Sequence, residues 1–174
     1  KYAEKKPDWR DIIECIDSCR YAPMAGNNFS LKFLLIDEID IIYRVGECCQ
    51  QPFVEQAPYL VIVCTVPTRT INVFGEKGEM YCRQQAGAAI QNFLLKITEK
   101  GLGSCWVGYF DEHQVKVALN LPEDVKVEAI LPVGIKSKLK GEQSRKRDKI
   151  DLDQVLYFNN WKNKRYPSTK KHDT

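Results

Sequence analysis

The chain has 174 residues, 44% apolar and 28% charged; that suits one globular domain burying about two-thirds of its unfolded surface. No run of ~18 apolar residues occurs, which excludes a membrane-spanning helix by pattern, and residues 1–7 lack the apolar core of a secretory signal. The net charge of +3 is unevenly spread: residues 1–133 carry 14 Lys/Arg against 18 Asp/Glu, and residues 134–174 carry 12 against 5.

In chain order, residues 8–21 read as a helix, with Trp9, Ile12, Ile13, Ile16 and Cys19 recurring inward at three- and four-residue steps. Pro23 and Gly26 end it. Leu31–Ile36 reads as a short buried strand, and residues 38–49 as a helix with Ile41, Ile42, Val45, Cys48 and Cys49 inward. Tyr59–Thr65 is the clearest strand. Residues 66–78, with Pro67, Gly75 and Gly78, read as a loop or short irregular segment near a substrate entrance. Residues 79–100 form a long helix in which Ala86, Ala88 and Ala89 permit close approach while Ile90, Phe93, Leu94 and Ile97 bury. A helix over 111–119 and a strand over 126–133 follow. Residues 135–149 are basic and aperiodic, residues 151–161 return to a helical pattern, and the chain from Lys162 on has no core signal. The expected organisation is one domain over 1–161 with a basic tail over 162–174, in an α+β layer structure.

Seven cysteines form no Cys-x-x-Cys pair, and His113 and His172 have no partnering spacing, so no metal site is expected. Cys64, Cys82 and Cys105 sit singly in apolar surroundings. An odd count without a secretion signal reads as reduced thiols in a cytoplasmic protein.

Two segments carry the functional signal. Gly101-Leu102-Gly103-Ser104-Cys105-Trp106-Val107-Gly108-Tyr109-Phe110-Asp111 follows the long helix. Gly101 is placed to end that helix, Gly103 to turn the chain, and Asp111 to cap the next helix. Between the glycines, a short strand through Cys105, Trp106 and Val107 would present backbone N–H groups to a planar heteroaromatic cofactor; spacing alone also admits a plain helix-to-strand turn. The second segment is Arg20-Tyr21-Ala22-Pro23-Met24-Ala25-Gly26-Asn27-Asn28-Phe29-Ser30, between the first helix and the first strand.

Together these segments resemble the nitroreductase family of FMN-dependent oxidoreductases, in which an Ala-Pro-Ser-x-x-Asn loop and a Gly-Leu-Gly-Ser…Gly-Phe-Asp segment occur in this order. The similarity extends through Leu121-Pro122 and Pro132-Val133-Gly134, over roughly the first 155 residues. It implies a mixed central sheet flanked by helices, an intertwined homodimer, and FMN at the subunit interface with NADH or NADPH as co-substrate. Hydride would pass through flavin N5 to a nitroaromatic, quinone or similar flat acceptor by a ping-pong mechanism. No protein acid, base or nucleophile is required, so no catalytic side chain is assigned.

By the same resemblance, Val107 and Gly108 offer N–H groups to the ring edge, with Cys105 and Trp106 covering one face. Trp106 reads equally as a core aromatic, and Cys105 as a packing residue rather than a redox partner. Pro23, Met24, Ala25, Gly26, Asn27 and Phe29 belong to the loop that reaches the flavin of the other subunit; Met24 and Phe29 replace the usual serine and glutamine and make that lining more apolar. Arg145 and Arg147 match the pair that grips the phosphate, with Lys1 assisting. Family members open with an Arg-Ser-x-Arg segment just before the position of Lys1, and the expectation is that this segment lies upstream.

A rival reading takes the basic residues of 136–149 and 162–171, interleaved with Tyr157, Phe158, Trp161 and Tyr166, as a nucleic-acid or anionic-ligand surface without redox activity. Related folds that destroy the flavin or remove halogen from a substrate form a third class.

Overall fold

The segment Tyr-Leu-Val-Ile-Val-Cys-Thr is apolar at nearly every position, so a strand built from it needs cover on both faces. It forms β2 (Tyr59–Thr65), and all seven residues are buried. The computed structural model describes residues 1–137 and 150–164. The chain divides into two compact units, Lys1–Lys138 and Leu139–Thr174, and the single domain expected over 1–161 spans parts of both.

In the first unit, β1 (Leu31–Ile36) pairs with one side of β2, from Leu31 opposite Thr65 to Ile36 opposite Leu60. On the other side lies β4 (Lys126–Ile135), with Tyr59 opposite Val133 and a bulge between Val63 and Cys64. β3 (Leu102–Ser104) pairs with the outer side of β4, giving the order β1-β2-β4-β3. All three pairings are antiparallel, which corrects the expected mixed sheet among the described residues. The reason is in the connections: after α2 (Ile39–Cys49), residues 50–58 carry the chain back to the end where β1 finished, so β2 runs against it.

Alternation along β2 sends Tyr59, Val61 and Val63 into one core and Leu60, Ile62 and Cys64 into the other. The first core is closed by Ile12, Cys15 and Cys19 with Ala86, Ala89, Ile90, Phe93 and Ile97. Most of these lie on α1 (Trp9–Ser18) and α4 (Lys77–Glu99). The second core is closed by Ile42, Val45, Cys48 and Cys49 of α2 and by Val115 of α5 (Glu112–Leu119). Asp8 and Asp111 cap α1 and α5, accepting from Arg10 N–H at 2.9 Å and Gln114 N–H at 3.0 Å. Each such cap is worth about 1 kcal/mol.

Several sequence expectations are corrected. Trp9 and Ile13 are exposed, because the buried stripe of α1 is confined to Ile12, Cys15 and the residues in line with them; the Arg10 guanidinium lies over the Trp9 ring instead. Residues 66–78 contain a helix, α3 (Thr68–Phe74), and α4 starts at Lys77. Few apolar residues announced α3; Pro67 stands at its entry and Gly75, at φ +57°, ends it. The strand placed at Cys105–Val107 lies at Leu102–Ser104, with Val107 making only a bridge to Ile130. Gly103 is therefore a strand residue opposite Gly134, not a turn.

In the second unit, the helix expected over 151–161 is the single turn α6 (Leu152–Val155). Leu156 leaves the helical region at φ −108°, ψ 130°, and Tyr157 and Trp161 stack at 4.5 Å rather than lying on one helical stripe.

The α3–α4 packing makes a testable case. A Cβ on Gly78 would lie 2.5 Å from the Ile71 Cα, and backbone cannot move aside as a side chain does. Gly→Ala in a helix ordinarily gains up to ~1 kcal/mol. Here Gly78→Ala is expected to destabilise by about 1–3 kcal/mol through overpacking, read as a lower urea midpoint; a stabilised variant would refute the packing.

Candidate functional site

The loop between α1 and β1 is built on left-handed backbone: Gly26 and Asn27 have φ of +56° and +54°. A Cβ on Gly26 would lie 3.0 Å from the Phe74 ring, so glycine serves both the dihedral and the contact. Asn28 Nδ2 donates to Thr70 Oγ1 at 2.6 Å, tying the loop to α3. Ser30 donates twice to Gln85 Oε1 of α4, from its N–H at 2.9 Å and its hydroxyl at 2.7 Å. Phe74 meets Tyr81 edge-on at 5.2 Å. The unanticipated helix α3 thus holds the loop in place.

Between the loop and α4 lies a cavity of 320 Å³ lined by Pro23, Met24, Ala25, Tyr81, Gln84, Gln85 and Ala88. Gln85 is only 4% exposed and its Nε2 has no partner among the described residues. The amide orientation is fixed chemically, since the Ser30 N–H can only donate and must face the oxygen. A buried donor left unpaired costs about 1–3 kcal/mol. Phe29 does not line this cavity; it packs against the first core.

After α4, Gly101 adopts φ +71° as expected of a helix terminator. Val107 is buried, and its N–H donates to the Ile130 carbonyl at 3.0 Å while its own carbonyl accepts from Ile130 N–H at 3.0 Å. Its N–H is therefore committed to the sheet and is not free to face a ring edge, which corrects the expectation for this residue. Gly108 is exposed, and a Cβ there would meet only the Trp106 indole, 3.8 Å away. Trp106 is 45% exposed, not a core aromatic, and its ring would be 3.9 Å from a Cβ on Gly87 of α4. Cys105 is exposed rather than packed in apolar surroundings. Next to it, Ser104 Oγ is buried without a partner among the described residues.

The N-terminal segment runs beside the end of β4. Tyr2 bridges Lys136, Ser137 N–H donates to the Lys1 carbonyl at 3.2 Å, and Tyr2 OH donates to the Pro132 carbonyl at 3.1 Å. The Lys136 side chain lies over Gly103, and the Tyr2 ring lies over Gly134. Lys1 and Lys136 thereby share one end of the sheet, a pairing the sequence did not suggest. Burial raises the Tyr2 phenol pKa strongly, with a smaller contribution from the neighbouring Cys105. Arg145 and Arg147 lie outside the described residues.

Sequence reasoning also missed Gln85 and Thr70. The available signal was a polar pair, Gln84-Gln85, set beside the small-residue run of the long helix. Among the described residues no group of side chains is arranged to hold a metal ion, and no helix is long and apolar enough to cross a membrane.

The nitroreductase family pattern matches residues 44–135, more than half of the chain. The chain belongs to the nitroreductase family. Iodotyrosine deiodinase of Thermotoga neapolitana is 26% identical to it, over 77% of this chain and 81% of the relative. Among solved structures, an FMN-dependent nitroreductase from Clostridium difficile R20291 superposes with a TM-score of 0.74 at 19% identity, covering 92% of each chain. An oxidised iodotyrosine deiodinase bound to FMN and 3-iodo-L-tyrosine gives 0.71 at 22% identity, covering 87% of this chain and 91% of that one. At these identities the superpositions establish the shared α+β fold of a central sheet with flanking helices.

The thiols yield a prediction. Cys105 is exposed and the other six are buried. Burial pushes Cys19, Cys49 and Cys64 up to about 12 from the ordinary 9.0. A thiol reagent at pH 8 is expected to titrate one fast equivalent, removed by Cys105→Ser, and the rest only on unfolding. Because the folded values are raised, the stability tied to these thiols is full below pH ~9 and is lost as pH climbs from about 9 toward 12. A urea midpoint flat across that range would contradict the burial.

Proposed function

We propose that the protein is a homodimeric FMN-dependent NAD(P)H oxidoreductase acting on a nitroaromatic, quinone or similar flat acceptor. One observation carries this reading. In a chain of the nitroreductase family, the two motif segments flank consecutive residues of α4, Trp106 against Gly87 and the 23–25 loop against Ala88.

The residues present fit the cofactor. Gln85 Nε2, a donor, and Ser104 Oγ, a donor or acceptor, are without partners among the described residues, and Gly108 leaves room beside an exposed indole. FMN, when bound, would supply the hydride-transfer chemistry of a ping-pong oxidoreductase with NAD(P)H as the reductant. The protein's part is to bind and orient. With the Val107 N–H committed to Ile130, the Gly108 N–H would be the donor left for the ring edge, and Cys105 and Trp106 would cover one face. Pro23, Met24, Ala25, Gly26 and Asn27 approach the flavin of the partner subunit, with Phe29 anchoring their loop in the core. By the family resemblance, Arg145 and Arg147 would supply positive charge for the phosphate, with Lys1 assisting. No side chain need give or take a proton for hydride transfer itself.

A second reading stays at the same site. The similarity to iodotyrosine deiodinase favours reductive removal of halogen from an aromatic substrate. Turnover of 3-iodotyrosine against a quinone by FMN-loaded protein separates the two.

The primary test is the visible spectrum and FMN titration of purified protein; a colourless protein that quenches no flavin fluorescence would defeat the proposal. Gly108→Val is expected to abolish FMN binding with little change in thermal unfolding, because Gly108 is exposed, has no positive φ and faces only Trp106. Retained affinity in that variant would remove Gly108 from the ring edge.

Replacing both Arg145 and Arg147 by alanine is expected to weaken FMN by ~2–5 kcal/mol in total, since phosphate oxygens would lose charged donors. A change in Kd below threefold would withdraw the phosphate assignment.

A further inference from the structure

We propose that the outward face of α2 and the groove beside it form a docking surface for a cationic amphipathic segment of a partner protein. Its apolar side chains enter the groove, and its Lys or Arg side chains meet Glu4, Asp37 and Glu55. This goes beyond the redox reading and does not depend on it, because α2 covers the second core whereas the candidate site is built on α4 and the first.

The first argument is the face itself. Ile39 and Tyr43, one turn apart on α2, are 70% and 55% exposed. Ile39 also lines a groove of 370 Å³, together with Tyr2, Ile42, Ala57 and Pro58. These groups come from three segments that the fold holds in place. Tyr2 donates to the Pro132 carbonyl at 3.1 Å, Ile42 belongs to the second core, and Pro58 leads directly into β2. A groove already formed asks little ordering of itself when a ligand binds.

The second argument is charge. Residues 37–55 carry Asp37, Glu38, Asp40, Glu47 and Glu55 against Arg44 alone. The rest of residues 1–133 carry 13 Lys/Arg against 13 Asp/Glu, so the whole net charge of −4 in that region resides in this one segment. The ion pairs among the described residues lie on α1, α4 and α5 or at their caps, and use neither these acids nor Glu4. Asp37, Glu38 and Asp40 suit the N-terminus of α2 through its dipole. That accounts for neither Glu4 nor Glu55, which come from other segments. Glu55 is set beside α2 by Gly46, since its side-chain stem lies where a Cβ on that glycine would stand. Lys6, the one cation lining the groove, has its ammonium over the Tyr59 ring, 5.7 Å from the centroid.

These properties together choose the occupant. Nucleic acid or an anionic lipid surface would be repelled by the unpaired carboxylates. A metal ion or polyamine would leave Ile39 and Tyr43 bare, and a wholly apolar segment would leave the acids without partners. A segment carrying both apolar and cationic side chains meets both needs, as an amphipathic helix laid in a groove does.

The probe is a short acetylated and amidated Leu/Lys peptide of amphipathic helical pattern, titrated into the ¹⁵N-labelled full chain. A version with every Leu replaced by Ser keeps the charge, and spermidine supplies charge without apolar surface. The expected result is a saturable set of amide shifts confined to residues 2–6 and 37–58, weakened by added salt. Ile39→Ser, at an exposed position, should weaken binding at least fivefold. The triple variant Glu4→Gln, Asp37→Asn, Glu55→Gln should weaken it at least tenfold. A control triple, Glu76→Gln, Glu123→Gln, Asp124→Asn, removes the same charge elsewhere and should change it less than twofold. Thermal unfolding checks that each variant is folded; if the first triple is not, Ile39→Ser and Tyr43→Ser decide.

Absence of saturable binding overturns the proposal, as do shifts centred outside these residues. Equal weakening by the two triples also overturns it, since overall charge would then explain the attraction. So does binding of the Ser peptide or spermidine as tight as that of the Leu/Lys peptide, which would remove the apolar groove from the site. Shifts of the same amides that grow with protein concentration without peptide, and vanish in Ile39→Ser, assign the face to a second copy and overturn the partner. The peptide shifts are expected with and without FMN, so failure here leaves the oxidoreductase reading standing, and failure of flavin binding leaves this surface standing.

Discussion

Burial of β2 on both faces is the constraint on which the other placements depend. Seven consecutive buried residues cannot be satisfied by a sheet with one wet side. Odd and even positions enter separate cores, so helices must cover both faces. At ~25 cal/mol per Å² of apolar area, burying each large aliphatic side chain of β2 contributes about 1.5–3 kcal/mol, before the entropy of ordering is subtracted. α1 and α4 take one face, and α2 and α5 the other. The antiparallel pairing follows from the same requirement, because residues 50–58 must return the chain to the edge of β1 before β2 can be laid down between two neighbours.

That arrangement fixes what α4 can present. Its inward side is Cys82, Gln85, Ala86, Ala89, Ile90, Phe93 and Ile97, spaced at three and four residues as a single buried stripe requires. Gln85 is the one long polar side chain on that stripe. It stays there because Ser30, at the start of β1, supplies both a backbone and a hydroxyl donor to its oxygen. The outward side carries Gly87 and Ala88, small enough for Trp106 and the 23–25 loop to lie close. The core therefore dictates where the candidate site falls, at the margin of the buried stripe, where Gln85 and the partly buried Ala88 line the cavity.

Much of this was legible in the residues. β1 and β2 were read with their observed limits, because short apolar runs bounded by polar or turn-forming residues have few alternatives. The Asp111 cap and the Gly101 terminator were legible because each meets a local need that few residue types satisfy. What failed was tertiary. α3 hid behind Thr68-Arg69-Thr70, whose buried member, Thr70, is satisfied by a partner 42 residues away. Trp9 and Ile13 fit a helical stripe, but nothing in the sequence says how wide a face the neighbours will cover. Residues 151–161 have helical spacing without a helix beyond the first turn, since spacing does not supply a surface to bury against. At the site, the two loops were found as segments, whereas the commitment of the Val107 N–H to Ile130 depends on a sheet partner that no local pattern reveals.

If the loop over α4 and the 101–111 turn meet a flavin across two subunits, binding and dimerisation are one linked equilibrium. Met80 and Leu95 on α4 and Trp106 beside it are all accessible in the single chain. Covering them would return hydrophobic free energy, but only after translational and rotational freedom is lost. A ligand that touches both chains adds its own contacts to the dimer and none of that entropy cost to the protein–protein step. Its apparent affinity then rises with protein concentration, and the dimer tightens with ligand concentration. Gln85 Nε2 and Ser104 Oγ are each a buried polar atom without a partner among the described residues, and such an atom costs about 1–3 kcal/mol.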